Sequence, residues 1–248
     1  MKFAPVKTPL VVKKMFPNYV WDMATDEQII YLTFDDGPTS DITEWTLNTL
    51  EAFNAKATFF CIGNNVEKHP EIFQQILKNG HSIGNHTHNH IKGWKTSMED
   101  YVANVLCAQN VIDTNYQIPN SKLQIPKKAE SEINNQQSST VASAPLSYQN
   151  QQLLINNLFR PPYGQLKNKQ GKALRKLGYS IIMWDVIAFD WEAAISSEKC
   201  LNNVLTKTEN GSIVVFHDSV KASKHLYYTL PKVLEYFSEK GFVFKAIE

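Results

Sequence analysis

The stretch TFDDGP, residues 33–38, directly follows the short apolar run IIYL at 29–32. Apolar and β-branched residues over so short a run predict a buried strand, and the Gly-Pro pair predicts that the chain turns out of it. An ionised carboxylate at the end of a buried strand needs an opposite charge, hydrogen-bond donors or a metal ion. Asp35 and Asp36 are therefore either a site, in which one holds a cation while the other handles a proton, or a solvated Asp-Gly turn.

Length and composition indicate a single soluble domain. The 248 residues suffice for one large α/β domain, and 43% hydrophobic with 20% charged residues is typical of globular proteins. The net charge of +1 gives no overall attraction to nucleic acid or to anionic lipid. The chain has no CxxC pair, and its three cysteines, Cys61, Cys107 and Cys200, are far apart. We therefore expect all three to be reduced and packed in the interior.

Membrane and export signals are not evident in the sequence. The first 19 residues contain no apolar run as long as the core of a signal peptide, and no later run approaches the length of a membrane span. The sequence therefore predicts a cytoplasmic protein without a membrane span, although removal of a leader would leave the same pattern. The oligomeric state cannot be read from the sequence.

Strand and helix patterns alternate along most of the chain. Strands are predicted at about 29–35, 57–62, 81–86, 157–160, 179–185, 212–217 and 242–246. Helices are predicted from 41, and at about 70–78, 98–111, 167–177, 197–207 and 224–239. In the helix at 98–111 the predicted buried stripe consists of Tyr101, Val102, Val105, Leu106 and Ile112. This alternation predicts an α/β fold with a parallel sheet of about seven strands, for which a barrel is plausible.

Two segments depart from this alternation. Residues 1–27 contain three prolines and are predicted to form an irregular N-terminal arm, which precedes a single catalytic domain at 28–248. The segment at about 117–157 is rich in Gln, Asn, Ser and Lys and has few periodic apolar positions. That composition predicts an exposed polar insertion, which is either a loop without a role or a substrate-side lid or partner surface.

The sequence HTHNH at 86–90 follows the third predicted strand. His86 and His90 would share one face if this turn were helical, and neutral imidazole is a good ligand for Zn²⁺ and similar metals. A carboxylate from Asp35 or Asp36 would complete a site with two histidines and one aspartate, which leaves positions open for water and substrate. The alternative is a cluster of surface histidines. Since the ends of parallel strands converge on one face, the two motifs can meet.

Three further motifs follow predicted strands: RPPYG at 160–164, WDVIAFDW at 184–191 and VVFHD at 214–218. Arg160 offers a permanent cation that can orient a carboxylate, or it is a surface residue of a Pro-Gly turn. Trp184 and Trp191 could wall a sugar groove, or belong to the core. His217 could donate a proton, or be structural.

Together the five motifs resemble those of the NodB-like polysaccharide deacetylases, carbohydrate esterase family four. They occur in the order of that family and cover roughly residues 28–220. The resemblance implies a distorted (β/α) barrel of the NodB-homology type. It also implies a metal-dependent hydrolase that removes acetyl groups from N-acetylated, or O-acetylated, sugars or polysaccharides.

The resemblance also implies roles for the motif residues. The implied metal ligands are Asp36, His86 and His90, around one divalent ion, with Zn²⁺ as first choice and Co²⁺ or Ni²⁺ as alternatives. Asp35 is implied as the general base and His217 as the general acid, so that water activated by the metal attacks the acetyl carbonyl.

Other motif residues are implied as partners of this reaction. Arg160 matches the arginine that orients the base, and Tyr163 stands where the family uses a backbone N–H to stabilise the oxyanion. Asp190 and Trp191 are implied in the substrate groove.

One position departs from the family pattern. Ile187 stands where many members carry an aspartate that helps to set the acid–base partners. The control of His217 protonation is therefore open, with Asp185 and Asp190 as the neighbouring carboxylates.

Several functions and substrates remain open at this point. The alternatives are a catalytically weak or inactive carbohydrate-binding relative, a hydrolase of another carbon–nitrogen bond, and an interaction protein that uses the polar insertion. Peptidoglycan, chitin oligomers, xylan and an exopolysaccharide all suit an acetyl-cleaving groove. The lack of an export signal would suit a cytoplasmic precursor or a modest-sized acetylated sugar better than a wall polymer.

Overall fold

The computed structural model of the protein describes residues 5–116 and 157–248. The predicted insertion, apart from its last residue, lies outside the described residues. The strands are β1 (Ile29–Asp35), β2 (Ala57–Cys61), β3 (Ser82–Asn85), β4 (Leu158–Phe159), β5 (Ser180–Ile181), β6 (Val186–Ile187), β7 (Ile213–His217) and β8 (Val243–Phe244). The helices are α1 (Leu10–Met15), α2 (Ile42–Ala52), α3 (Gly63–Lys68), α4 (Pro70–Lys78), α5 (Met98–Tyr116), α6 (Asn168–Lys176), α7 (Ser197–Leu205) and α8 (Ser223–Glu239).

The strands form one parallel sheet in the order β5-β4-β3-β2-β1-β7-β6, and β8 pairs with the beginning of β1. The register places Asp35 beside Phe60 on one side and beside His217 on the other. The ends of these central strands are therefore level with one another, so the motifs that follow them lie at one edge of the sheet. The predicted distorted (β/α) barrel of parallel strands is confirmed, with an eighth short strand in addition to the seven on the main path.

The central strands are buried on both faces, as parallel strands covered by helices are. All seven residues of β1 are buried. The Phe34 ring stacks on Phe59 with ring centroids 5.0 Å apart, and on Phe216 with centroids 6.0 Å apart. This aromatic layer supports the strand that carries Asp35, and it keeps the sheet rigid beneath the site.

The length predicted for the strand at 179–185 is wrong. Only residues 180–181 form a strand, β5, and the next strand, β6, is separate from it. Residues between these two edge strands pair instead with the N-terminal arm. The sequence predicted no regular element in this arm, but the structure has helix α1 there. Val20 pairs with Ile182, its N–H donating to the carbonyl of Ile181 at 2.9 Å. Farther back in the arm, the Thr8 N–H donates to the carbonyl of Asp185 at 2.7 Å. The arm thus spans the opening between β5 and β6, which we call the seam.

A buried carboxylate fastens the arm to the seam. Asp185 has 1% of its surface exposed, and its side chain contacts the ammonium groups of Lys7 at 3.1 Å and Lys13 at 2.6 Å. It also accepts a hydrogen bond of 2.7 Å from the hydroxyl of Ser212. Burial opposes the charge of Lys13, but hydrogen bonds and charges of Asp185 and Asp22 outweigh it and raise the lysine pKa. The arm is therefore held by ion pairs that are partly shielded from solvent.

Two smaller sequence predictions are wrong. In α5, Leu106 is exposed and Val102 is only half-buried, whereas Ala108 and Val111 are buried in their place. The cysteines are free, as expected, but Cys107 on the same helix is exposed, in contrast to the buried Cys61 and Cys200. None of the helices among residues 5–116 and 157–248 combines the length and the apolar composition that crossing a bilayer requires.

Candidate functional site

A cavity of about 330 Å³ opens at the edge where β1, β2, β3 and β7 end. Five of its polar lining residues come from the motifs singled out in the sequence, namely Asp35, Asp36, His86, His90 and His217, and Ser219 and Lys221 add to them. Tyr163 and Trp191 form part of its wall. The structure therefore brings together residues that are up to 182 positions apart in the chain, and it places them around one hollow that is open to solvent.

Asp36, His86 and His90 form a group that fits a divalent metal ion. One ligand atom from each residue lies within 4.8 Å of the other two. The Asp36 Oδ1 atom is 3.8 Å from Nε2 of His86 and 3.2 Å from Nε2 of His90. The same oxygen is buried without a hydrogen-bond partner among the described residues. An unpaired buried carboxylate oxygen facing two imidazoles is the donor set that Zn²⁺ and similar ions take.

The protonation of the two histidines suits this group. Nδ1 of His86 lies 2.8 Å from the backbone carbonyl oxygen of Arg160, so Nδ1 carries the proton and Nε2 is left free. Burial is the main cause that lowers the pKa of His86 to about 4, and the negative charge of Asp35, which raises this pKa, only partly offsets it. Burial also lowers the pKa of His90. Both rings are therefore neutral at pH 7, as a metal ligand must be.

The HTHNH segment is a loop and not a helix, so the helical spacing considered from the sequence does not apply. The two outer histidines converge because Thr87 and His90 have positive φ values of 64° and 52°. The middle residue, His88, points away, and its Nε2 is 3.9 Å from a carboxylate oxygen of Glu67. His88 is therefore no part of the site, although the motif alone does not distinguish it from its neighbours.

Backbone strain is concentrated around the cavity. Asp36, Tyr163 and Phe189 have positive φ values of 83°, 60° and 62°, a region that side-chain-bearing residues seldom adopt. The backbone at Asp36 is fixed from outside, since the Asn65 amide donates to its carbonyl oxygen at 2.7 Å. Strain of this kind persists only where the surroundings impose it, and here it aims the carboxylate at the histidines.

A buried aspartate, Asp218, holds the same turn. The N–H of Gly37 donates to Oδ1 of Asp218 at 3.0 Å, and the hydroxyl of Thr43 donates to Oδ2 at 2.5 Å. A Cβ atom on residue 37 would lie 2.0 Å from Oδ2 of Asp218, so only glycine fits there. Asp218 lies inside the VVFHD motif, but no separate role was predicted for it, because its partners come from a distant part of the chain.

Asp35 and Arg160 form a fully buried ion pair. Nη1 of Arg160 donates to Oδ1 of Asp35 at 2.7 Å and to the hydroxyl of Thr33 at the same distance. The remaining guanidinium hydrogens donate to the carbonyl oxygens of Ile182 and Met183. Burial raises the pKa of Asp35, but the charge of Arg160, with His86 and His217, outweighs it and lowers the pKa below its usual value. Asp35 is therefore ionised near neutral pH and can accept a proton.

His217 lies beside Asp35 at the end of the neighbouring strand and is held by Asp190. Nδ1 of His217 lies 2.9 Å from Oδ1 of Asp190, whose other oxygen accepts the His217 backbone N–H at 2.7 Å. Burial disfavours the charged ring, but the charge and hydrogen bond of Asp190, with smaller contributions from Asp36 and Asp35, raise the pKa of His217 to about 9. The ring is thus protonated at neutral pH, and the edge of Trp191 packs against it at 4.6 Å between centroids.

The prediction that Asp190 lies in the substrate groove is wrong. Its side chain has 0% exposure and sits beneath His217, because the positive φ of Phe189 turns the chain inward before it. Asp190 is therefore the carboxylate that sets the protonation of His217, while Asp185 belongs to the seam. Ile187 instead faces the cavity as part of its apolar wall.

That apolar wall was predicted only in part, since Trp184 and Trp191 were considered as walls of a groove and its other members were missed. It consists of Trp184, Ile187, Phe189, Trp191 and Val215. Four of its members lie in the WDVIAFDW motif, so the hydrophobic positions of that motif were an available signal. Nonpolar surface on one side of a polar cavity suits a substrate that carries both an apolar group and hydrogen-bonding groups.

Comparisons with known proteins agree with this geometry. Residues 22–140 match the family model described as polysaccharide deacetylase. A peptidoglycan-N-acetylglucosamine deacetylase of Bacillus cereus is 30% identical over 242 residues, which cover 96% of each chain. Chitin deacetylase 2 of Saccharomyces cerevisiae is 26% identical over 82% of this chain and 54% of its own length.

A solved structure shows the same fold. The crystal structure of the Bc1960 peptidoglycan N-acetylglucosamine deacetylase is 25% identical, has a TM-score of 0.76, and aligns over 97% of this chain and 95% of its own. The full-length relative at 30% identity and the shared fold lead to one conclusion: this chain belongs to the polysaccharide deacetylase family, carbohydrate esterase family four.

Proposed function

We propose that the protein is a metal-dependent N-deacetylase that releases acetate from N-acetylglucosamine units of a polysaccharide, with peptidoglycan glycan strands as the first substrate class. The observation that carries the proposal is that an ionised Asp35 and a protonated His217 line the same cavity as the Asp36, His86 and His90 group. The substrate class is supported by the Bacillus cereus relative, whose printed name gives this activity over nearly the full length of both chains.

The metal site fits a resident divalent ion. Two neutral imidazoles and one carboxylate leave coordination positions open, and Zn²⁺ is the first choice for this donor set, with Co²⁺ or Ni²⁺ as alternatives. When bound, the ion supplies Lewis acidity that polarises a carbonyl and makes water a better nucleophile near neutral pH.

The residues of the chain provide the proton transfers. Asp35, kept ionised by Arg160, takes a proton from water as the water oxygen bonds to the acetyl carbon. His217 gives its proton to the amine nitrogen as the carbon–nitrogen bond breaks, so the products are acetate and a free amine. The backbone N–H of Tyr163 is the proposed donor to the negative oxygen that develops in between. Adjacent aspartates serve different roles because a carboxylate that holds a metal is a poorer base.

The test is a substrate panel with acetate detection on protein reconstituted with Zn²⁺. Peptidoglycan, chitin oligosaccharides and acetylated xylan distinguish N- from O-deacetylation and rank the polymers. We expect acetate from the N-acetylglucosamine polymers and none from Asp36→Asn, which keeps the size of the side chain but lacks its charge. Absence of acetate from every substrate, while a known deacetylase is active in the same assay, would refute the proposal and favour a binding relative without turnover.

A further inference from the structure

Helix α1 presents apolar side chains to solvent. Leu10, Val11 and Met15 are 72%, 63% and 67% exposed, while Val12, on the opposite side of the helix, packs against the core. Lys14 lies on the outer side with the three apolar residues. A cluster of apolar residues on the outer surface of a protein often marks a binding site for a partner.

Helix α6 is basic without any acidic residue. Its four cationic residues are Lys169, Lys172, Arg175 and Lys176, and all four are exposed. Their spacing along the helix confines them to one side of it. Among residues 5–116 and 157–248, no carboxylate forms an ion pair with any of them, in contrast to Lys7 and Lys13 at the seam. The net charge of the chain is only +1, so positive charge is concentrated here.

The two helices contribute to one surface. Met15 and the residues just after α1 line a small cleft of about 160 Å³ together with Lys172 and Arg175 of α6. The phenol of Tyr19 is so close to Gly171 that a Cβ atom there would lie 2.3 Å from its oxygen. We call this surface the basic–apolar face; its members are Leu10, Val11, Lys14, Met15, Lys169, Lys172, Arg175 and Lys176. It shares no residue with the lining of the catalytic cavity.

We propose that the basic–apolar face binds the surface of an anionic lipid bilayer. The basic side chains match lipid phosphates, and the three apolar side chains of α1 can enter the boundary between headgroups and acyl chains. A soluble polyanion would satisfy the basic residues but would leave the apolar ones in water, so their combination favours the bilayer. This binding is peripheral, and it does not depend on the deacetylase activity proposed above.

Vesicle co-sedimentation of the full chain tests the proposal. The probes are vesicles of pure phosphatidylcholine and vesicles of phosphatidylcholine mixed with an equal amount of phosphatidylglycerol, at low ionic strength. We expect the protein to pellet with the mixed vesicles only, and added salt to release it. The triple variant Lys172→Gln, Arg175→Gln and Lys176→Gln should lower the partition coefficient by about a hundred-fold. Each basic residue near an anionic surface raises this coefficient about five-fold.

Matched variants separate this face from general charge effects. Lys224→Gln and Lys232→Gln on α8, together with Lys240→Gln just after it, remove the same charge from exposed positions elsewhere, and this α8 control should bind as the wild type does. Leu10→Ser, Val11→Ser and Met15→Ser should also weaken binding, with an unchanged melting temperature to show that the fold is intact. No pelleting with the mixed vesicles would overturn the proposal, and so would equal loss in the α8 control. Full binding by the apolar variant, with release by soluble polyglutamate, would overturn it in favour of a soluble polyanion.

Discussion

Asp190→Asn provides the sharpest test of how the site controls its proton donor. The substitution keeps the size of a side chain that is completely buried, and it removes the negative charge beside Nδ1 of His217. An amide has one oxygen for two donors, so it cannot accept from both the imidazole and the His217 backbone N–H as the carboxylate does. The imidazole then loses its main stabilising charge, and burial, which opposes protonation, lowers its pKa.

The size of the effect follows from the pKa of about 9 that the Asp190 pair gives to His217. At pH 8 a group with that pKa is about 90% protonated, whereas one at the ordinary value of 6.5 is about 3% protonated. We therefore expect Asp190→Asn to reduce kcat/KM about 30-fold at pH 8 and by only a few-fold at pH 6. The basic limb of the pH profile, which reports the acid of the free enzyme, should move from near pH 9 to pH 6.5 or below.

The assay is acetate release across pH 5–10 with Zn²⁺-loaded protein, on the best substrate of the panel. Glu192→Gln is the matched control, because it removes a carboxylate charge only two residues from Asp190. The Glu192 side chain accepts a hydrogen bond from the Ala194 N–H and not from His217. Its profile should superimpose on that of the wild type. If Asp190→Asn loses the same fraction of activity at every pH, Asp190 has only a structural role, and the assignment of His217 as the acid under its control is refuted.

Three other substitutions test separate parts of the structure. His90→Asn should abolish stoichiometric Zn²⁺ binding while His88→Asn retains it, as measured by metal analysis after dialysis; equal loss in both would contradict the orientation of the loop. Arg160→Met should reduce the free energy of unfolding by about 3–5 kcal/mol in a urea titration, because it strands the buried charge of Asp35. A loss below about 1 kcal/mol would show that water or another group replaces the pair. Asp185→Asn should speed proteolytic cleavage within the arm, since the ion pairs to α1 weaken; an unchanged cleavage rate would mean that backbone pairing alone holds it.

Much of the fold follows from local pattern, because buried parallel strands and amphipathic helices leave clear periodicities. The order of elements and the ends of β1 and α4 agree with the sequence within a residue. The apolar run at 179–185 misled because its buried side chains face the N-terminal arm and not another strand of the sheet. A local sequence pattern contains no information on a pairing segment that lies about 160 residues away in the chain.

The sequence predicted which residues form the site better than it predicted how they are arranged. Strand-end motifs in a parallel sheet have to meet, which explains why Asp36 and the outer histidines lie together. The positive φ values and the direction of His88 are imposed by tertiary contacts, so they carry no sequence signature. Asp190 was misplaced for the same reason, since its inward turn depends on the backbone of Phe189.

The seam also constrains the order in which the protein assembles. The strand edges that residues 6–22 bond, at 181–187, leave the ribosome only after about 160 further residues. Until then the arm lacks these backbone partners, and contacts between such distant segments form slowly because the loop between them must first close. Pairing at the seam, and with it closure of the barrel, is therefore expected to be a late step of folding.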